Sequence, residues 1–159
     1  YKLLLKIHKK LDLIRNEKLA SDYLEEFTNI DGYNHKNTDK YKLFSTQDEK
    51  LFSLFPKSFY PDHVIFLGPG IPTFLDEKEA NEFIQNLKRK NMNLPPYLIL
   101  KYKGLFENTL AIPAAKEMID CFLEVLLRID LSKSLKFLSS QQESELLNWD
   151  IEIYRQSIN

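Results

Sequence analysis

Two short, almost unbroken apolar runs constrain the fold most: Val64-Ile-Phe-Leu67 and Tyr97-Leu-Ile-Leu-Lys-Tyr102. Each is bracketed by residues that interrupt regular structure. Pro61-Asp62-His63 leads into the first and Gly68-Pro69-Gly70 follows it, while Pro95-Pro96 precedes the second and Lys103-Gly104 follows. A half-buried strand alternates apolar and polar residues, but a strand covered on both faces loses that alternation. Both runs therefore read as buried central strands. Such strands need helices on both sides of the sheet, and the rest of the chain supplies helical patterns.

Residues 3 to 27 place Leu4, Ile7, Leu11, Ile14, Tyr23, Leu24 and Phe27 at helical spacing, with charged residues between them. Residues 28 to 42 are polar and read as an exposed loop. Thr46-x-x-Glu49 is a capping-box pattern opening a short helix that Pro56 ends. Ile71-Pro-Thr-Phe-Leu75 is expected at a sheet edge, because Pro72 cannot donate to a ladder. Asp76-x-x-Glu79 opens a further helix with Ala80, Phe83, Ile84 and Leu87 on one face. Lys103-Gly104-Leu105-Phe106 is expected to continue the second strand through a bend. A long helix runs from Pro113 to Ile129, and Ser140-x-x-Glu143 caps a last stretch holding Leu146, Leu147, Trp149, Ile153 and Tyr154. The fold class that follows is mixed α/β, with a central mixed sheet of about four or five strands flanked by helices. Residues 1–42 form a connector helix and polar loop, and residues 43–159 form the α/β domain with its helical tail.

A net charge of −1 offers no general field for nucleic acid or anionic lipid, so neither is expected as a partner. No apolar run approaches the ~18 residues a membrane span needs. A single cysteine, Cys121, precludes an internal disulfide; its position in Met118-Ile-Asp-Cys-Phe122 reads as a buried, inert thiol. The chain opens on Tyr1, and the lysines of its first residues do not suit a signal peptide. A segment of a larger cytoplasmic protein is the expectation.

Candidate chemistry is sparse. His8, His35 and His63 have no second histidine at ligand spacing, so no metal site is expected within the chain. His63 is the one histidine beside an expected strand end, where a turn or helix hydrogen bond is the simpler role. There is no Gly-x-Ser-x-Gly elbow. Gly68 and Gly70 would let backbone approach a phosphate, although Pro69 removes an amide between them and a plain structural turn is the simpler reading. Lys103, beside Gly104 at the bend, is placed either to bind a carboxylate or phosphate or to guard a sheet edge. The ligand-binding candidates are thus Lys103, Gly68, Gly70 and His63; no catalytic residue is assigned.

Phe59-Tyr-Pro-Asp-His-Val-Ile-Phe-Leu-Gly-Pro69 and Leu146-Leu-Asn-Trp-Asp-Ile-Glu-Ile-Tyr-Arg-Gln156 resemble segments of the C-terminal portion of long class II aldolase/adducin-like proteins. That group includes rhamnulose-phosphate aldolases fused to a short-chain dehydrogenase. The resemblance spans about residues 55 to 159. Ile99-Leu-Lys-Tyr-Lys-Gly-Leu-Phe106 through Ala115 looks like a degenerate copy of the family's strand-turn-helix, in which an Asn-His-Gly-Leu motif carries a zinc-binding His. Lys103 stands in the His slot and Ala115 in that of a small residue, and the family's His-x-His pair is absent.

The resemblance implies a zinc-dependent lyase that cleaves sugar phosphates or related hydroxy-carbonyl compounds. Zinc is implied for an N-terminal aldolase domain of the same polypeptide, and no cofactor for this chain. The chain itself is expected to be a degenerate, non-metal C-terminal domain serving packing, assembly or substrate closure, in a homo-oligomer. An anion-binding module and a purely structural oligomerisation domain are the alternatives.

Overall fold

The computed structural model describes residues 29–149. The helix expected over 3–27 and the segment from Asp150 onward, with Ile153 and Tyr154, lie outside the described residues.

A four-stranded mixed sheet, β1 (Tyr33–His35), β2 (Thr73–Phe74), β3 (Tyr97–Leu100) and β4 (Gly104–Asn108), is ordered β1-β4-β3-β2. β1 pairs antiparallel with β4, β4 antiparallel with β3, and β3 parallel with β2. Among the described residues, a 3-10 helix (Asp39–Ser45) and five α-helices lie around it: α1 (Glu49–Phe52), α2 (Pro61–Leu67), α3 (Glu77–Arg89), α4 (Pro113–Arg128) and α5 (Ser140–Leu147). The expected mixed α/β class, with a flanked sheet of four strands, is what the chain forms. Among the described residues no helix is long and apolar enough to cross a membrane.

Period-two geometry explains why β3 carries no polar residue. Tyr97 and Ile99 enter the larger core with Phe44, Phe55, Ile119, Phe122 and Leu126, whereas Leu98 and Leu100 enter a smaller one with Ala80, Ile84 and Phe106. The larger core lies under α4 and the 3-10 helix, the smaller under α3. Each face of the sheet is thus sealed by its own layer.

The run Val64–Leu67 is a correction: it is the second half of α2, not a strand. Its four apolar residues fit either element, and the flanking chemistry decides. Pro61 sits in the first turn, where its fixed φ suits a helix and its missing N–H costs nothing. Gly68, with φ +90°, ends the helix and donates its N–H to the Val64 carbonyl at 3.1 Å.

A second correction concerns Lys101–Lys103. The chain reverses there rather than bending onward: Lys103 N–H donates to the Leu100 carbonyl at 3.1 Å, and β4 returns antiparallel with Leu100 opposite Gly104. Tyr102 has φ +66° and Gly104 +98°, the left-handed backbone a tight hairpin requires. The segment 28–42, expected as an exposed loop, supplies β1, with Ile30 and Tyr33 buried.

The caps shift by small steps. Asp48, not Thr46, accepts from Leu51 N–H at 2.9 Å to open α1, while Thr46 Oγ1 accepts from Asp48 N–H at 3.1 Å. Asp76 accepts from Glu79 N–H at 2.9 Å to open α3, at the expected position. Ser139 and Gln142, one residue before the expected pair, form the capping box of α5. Cys121 is exposed, against the expectation of a core thiol. The buried face of α4 is centred on Ala115, Ile119, Phe122 and Leu126, and a 100° step turns Cys121 away from it.

Candidate functional site

The four residues singled out by sequence do not converge on one site. Lys103 lies in the β3–β4 turn, with its Nζ 2.8 Å from Glu77 Oε1 at the start of α3. Its carbonyl accepts from His35 Nε2 at 2.7 Å, and the His35 ring stacks on Phe106 at 4.7 Å. An ammonium that donates to a carboxylate offers no lone pair to a cation, so Lys103 does not fit a zinc ligand at this turn.

Gly68 and Gly70 line a cleft of about 580 Å³ between the C-terminal end of α2, the end of α3 and the loops 91–96 and 108–112. Gly70 has φ +76° and packs so closely that an added Cβ would lie 2.4 Å from the Pro56 carbonyl oxygen. Its N-terminal glycine partner, Gly68, has open space beside it. The turn is anchored where Ile71 N–H donates to the Phe55 carbonyl at 3.0 Å. No charged side chain lines the cleft among the described residues, and its polar side chains are Asn93 and Asn108. Asn108 is itself engaged: its side chain donates to the Pro95 carbonyl at 3.3 Å and accepts from Leu110 N–H at 2.9 Å.

The walls are Val64, Leu67, Pro69, Phe83, Leu94 and neighbouring apolar groups. At the rim Leu110 is 85% exposed and Met92 56%. These are large apolar side chains left in water beside a concave apolar surface, the pattern of a recognition face. A phosphate would find no cation here; an apolar segment or the hydrocarbon part of a ligand would find a fitting wall.

His63 sits on α2 but faces away from this cleft. Its ring is fully buried, 4.6 Å from the Phe122 ring and 5.7 Å from that of Tyr60. Burial lowers its pKa to about 4, so the ring is neutral at pH 7. The hydrogen bond expected for it is not formed, since neither ring nitrogen has a partner among the described residues.

A polar cluster that sequence reading did not single out joins the segment 36–41, which runs from the end of β1 into the 3-10 helix, to β4 and α4. Glu107 receives Lys36 at 2.9 Å and Lys116 at 3.2 Å; Asp120 receives Lys40 at 2.6 Å and the Tyr41 hydroxyl at 2.8 Å. Burial alone would raise the Glu107 carboxyl, but the two ammonium groups hold it below the ordinary range. Burial and the neighbouring Glu107 push the Tyr97 phenol upward. These five charged side chains come from three separate segments, so no local motif announces them. Their mutual pairing makes them a clamp across the sheet edge.

No family model matches the chain, and neither a curated protein nor a solved structure does.

Proposed function

We propose that the chain is an assembly domain of a class II aldolase-like lyase acting on sugar phosphates or related hydroxy-carbonyl compounds. In this reading it contributes packing and substrate closure, and the zinc chemistry resides in an N-terminal aldolase domain of the same polypeptide, within a homo-oligomer. The supporting observation is the uncharged cleft at Gly68–Gly70 with Leu110 and Met92 exposed at its rim. Contact with another protein surface would remove this apolar area from water, at about 25 cal/mol per Å². The resemblance of residues 59–69 and 146–156 supplies the family setting.

The test is made on the full natural reading frame. Retro-aldol cleavage of a ketose 1-phosphate and the sedimentation of the protein are compared with those of Leu110→Asp and Met92→Asp variants. Both changes lie on exposed positions, so the domain is expected to fold while its assembly weakens and cleavage declines with it. A parent protein without cleavage activity removes the lyase reading, and variants that assemble and cleave like the wild type remove the docking role of the cleft.

A further inference from the structure

Ser58, Tyr60 and His63 bring four buried polar atoms into one short stretch, and none of the four has a hydrogen-bond partner among the described residues: Ser58 Oγ, the Tyr60 hydroxyl, and Nδ1 and Nε2 of His63. Ser58 and His63 are at most 1% exposed. Orphaned buried polar atoms are rare in folded proteins, and their concentration within six consecutive residues is harder to accommodate than one isolated case. The backbone here is firmly held, because the Ser58 carbonyl accepts from Leu138 N–H at 2.9 Å.

The chemistry of the four atoms defines what can satisfy them. A neutral imidazole presents one donor and one acceptor, and a phenol or serine hydroxyl can do either. The ligand must therefore both donate and accept. It must also be uncharged, because an ion enclosed among the rings of Phe59, Tyr60 and Phe122 would lose its hydration in exchange for contacts with neutral groups. It must be small, since the rings of Phe59, Tyr60 and Phe122 lie 6.4, 5.7 and 4.6 Å from that of His63. Metal ions fail on the second requirement, with one imidazole and no carboxylate or thiolate paired to it. Apolar molecules fail on the first.

We infer that Ser58, Tyr60 and His63 form an internal binding site for water, with His63 and Tyr60 as its principal contacts, in the seam between α2 and α4. A water with several protein partners in such a seam is a structural component, and it joins the two helices by bonds their side chains do not make directly. The site is separate from the cleft at Gly68–Gly70 and does not depend on the lyase reading.

Water-selective nuclear Overhauser spectroscopy on the chain with isotopically labelled histidine tests this. Cross-peaks between long-lived water and the His63 ring are expected, and they should disappear in His63→Phe. Thermal midpoints at pH 7 give a second readout. Tyr60→Phe and His63→Phe are expected to lower the midpoint by a few degrees, because each strands the remaining partners of the water. In a dry seam Tyr60→Phe, which keeps the ring and removes only the hydroxyl, would relieve an uncompensated polar group and raise the midpoint. Absence of water cross-peaks in the wild-type chain, or a midpoint raised by Tyr60→Phe, overturns the assignment. Both remain measurable if His63→Phe does not fold.

Discussion

The imidazole of His63 is a titratable group placed among rings, and its position makes stability depend on pH. In the unfolded chain it takes up a proton near the ordinary 6.5, whereas in the folded chain burial depresses the pKa to about 4. Above 6.5 both states are neutral and the folded domain has its full stability. Between 6.5 and 4 the unfolded state binds the proton and the folded state does not, so stability falls as the pH is lowered, by up to about 3 kcal/mol. Urea titrations at pH 7 and pH 4.5 should show this loss in the wild type and a smaller one in His63→Phe. Equal losses would mean that other groups set the acid response. Gly70 offers a different test at this scale. Alanine there meets the Pro56 backbone and a left-handed φ together, so Gly70→Ala should cost about 3 kcal/mol. Gly32→Ala has the same sign of φ but open space, and should cost about 1 kcal/mol by the same denaturation measurement. Similar costs at the two positions would show that the contact with Pro56 contributes nothing.

At the scale of elements, legibility followed the length of the pattern and the chemistry at its ends. α4 was readable because Pro113 marks its first turn and sixteen residues carry one continuous apolar face. α3 was readable because Asp76 and Glu79 stand at the positions a helix start uses, and there the expected amide bond forms. That cap gives a direct prediction: Asp76→Ala should lower stability by about 1 kcal/mol, and Asp76→Asn by less, in thermal denaturation followed by circular dichroism. A cost shared equally by both variants would assign the effect to charge at the helix start rather than to the cap. α2 is ambiguous in sequence because four apolar residues have no period long enough to distinguish 3.6 from 2, and Pro61 reads equally as a lead-in or as the first turn it occupies. The β3–β4 hairpin was missed for a related reason. Its turn, Lys101-Tyr102-Lys103, lacks the Asn-Gly or Asp-Gly pair that announces such turns, and Tyr102 takes the left-handed backbone without being glycine. Of the candidate site, Gly68 and Gly70 were visible as a turn, but the cleft beside them was not. Its walls come from residues far apart in sequence and meet only after folding.

Across the whole molecule, the sheet sealed on both faces and the helix at its periphery predict an uneven distribution of stability. β3 is the innermost element: it pairs on one side with β4 and on the other with β2, and all four of its side chains are buried. The amides of Ile99 and Lys101 donate to the carbonyls of Pro72 and Phe74, each at 2.9 Å, so exchange at these sites requires the parallel pairing to open. α5 stands at the other extreme. It has a complete capping box but buries none of its residues, and Trp149 just beyond it is 59% exposed. A capped helix of eight residues whose packing beside α2 leaves Leu146 and Leu147 only half-buried is weakly held, since an isolated helix of that length is marginal in water. Hydrogen exchange should therefore show Ile99 and Lys101 exchanging only with global unfolding, and the amides of α5 exchanging through local fraying at a far smaller opening free energy. The result also bears on assembly. If α5 were as protected as β3 in the isolated chain and that protection fell on dilution, its open side would be covered by a second copy. Fast exchange in α5 at every protein concentration would instead mean that its open side stays in contact with water.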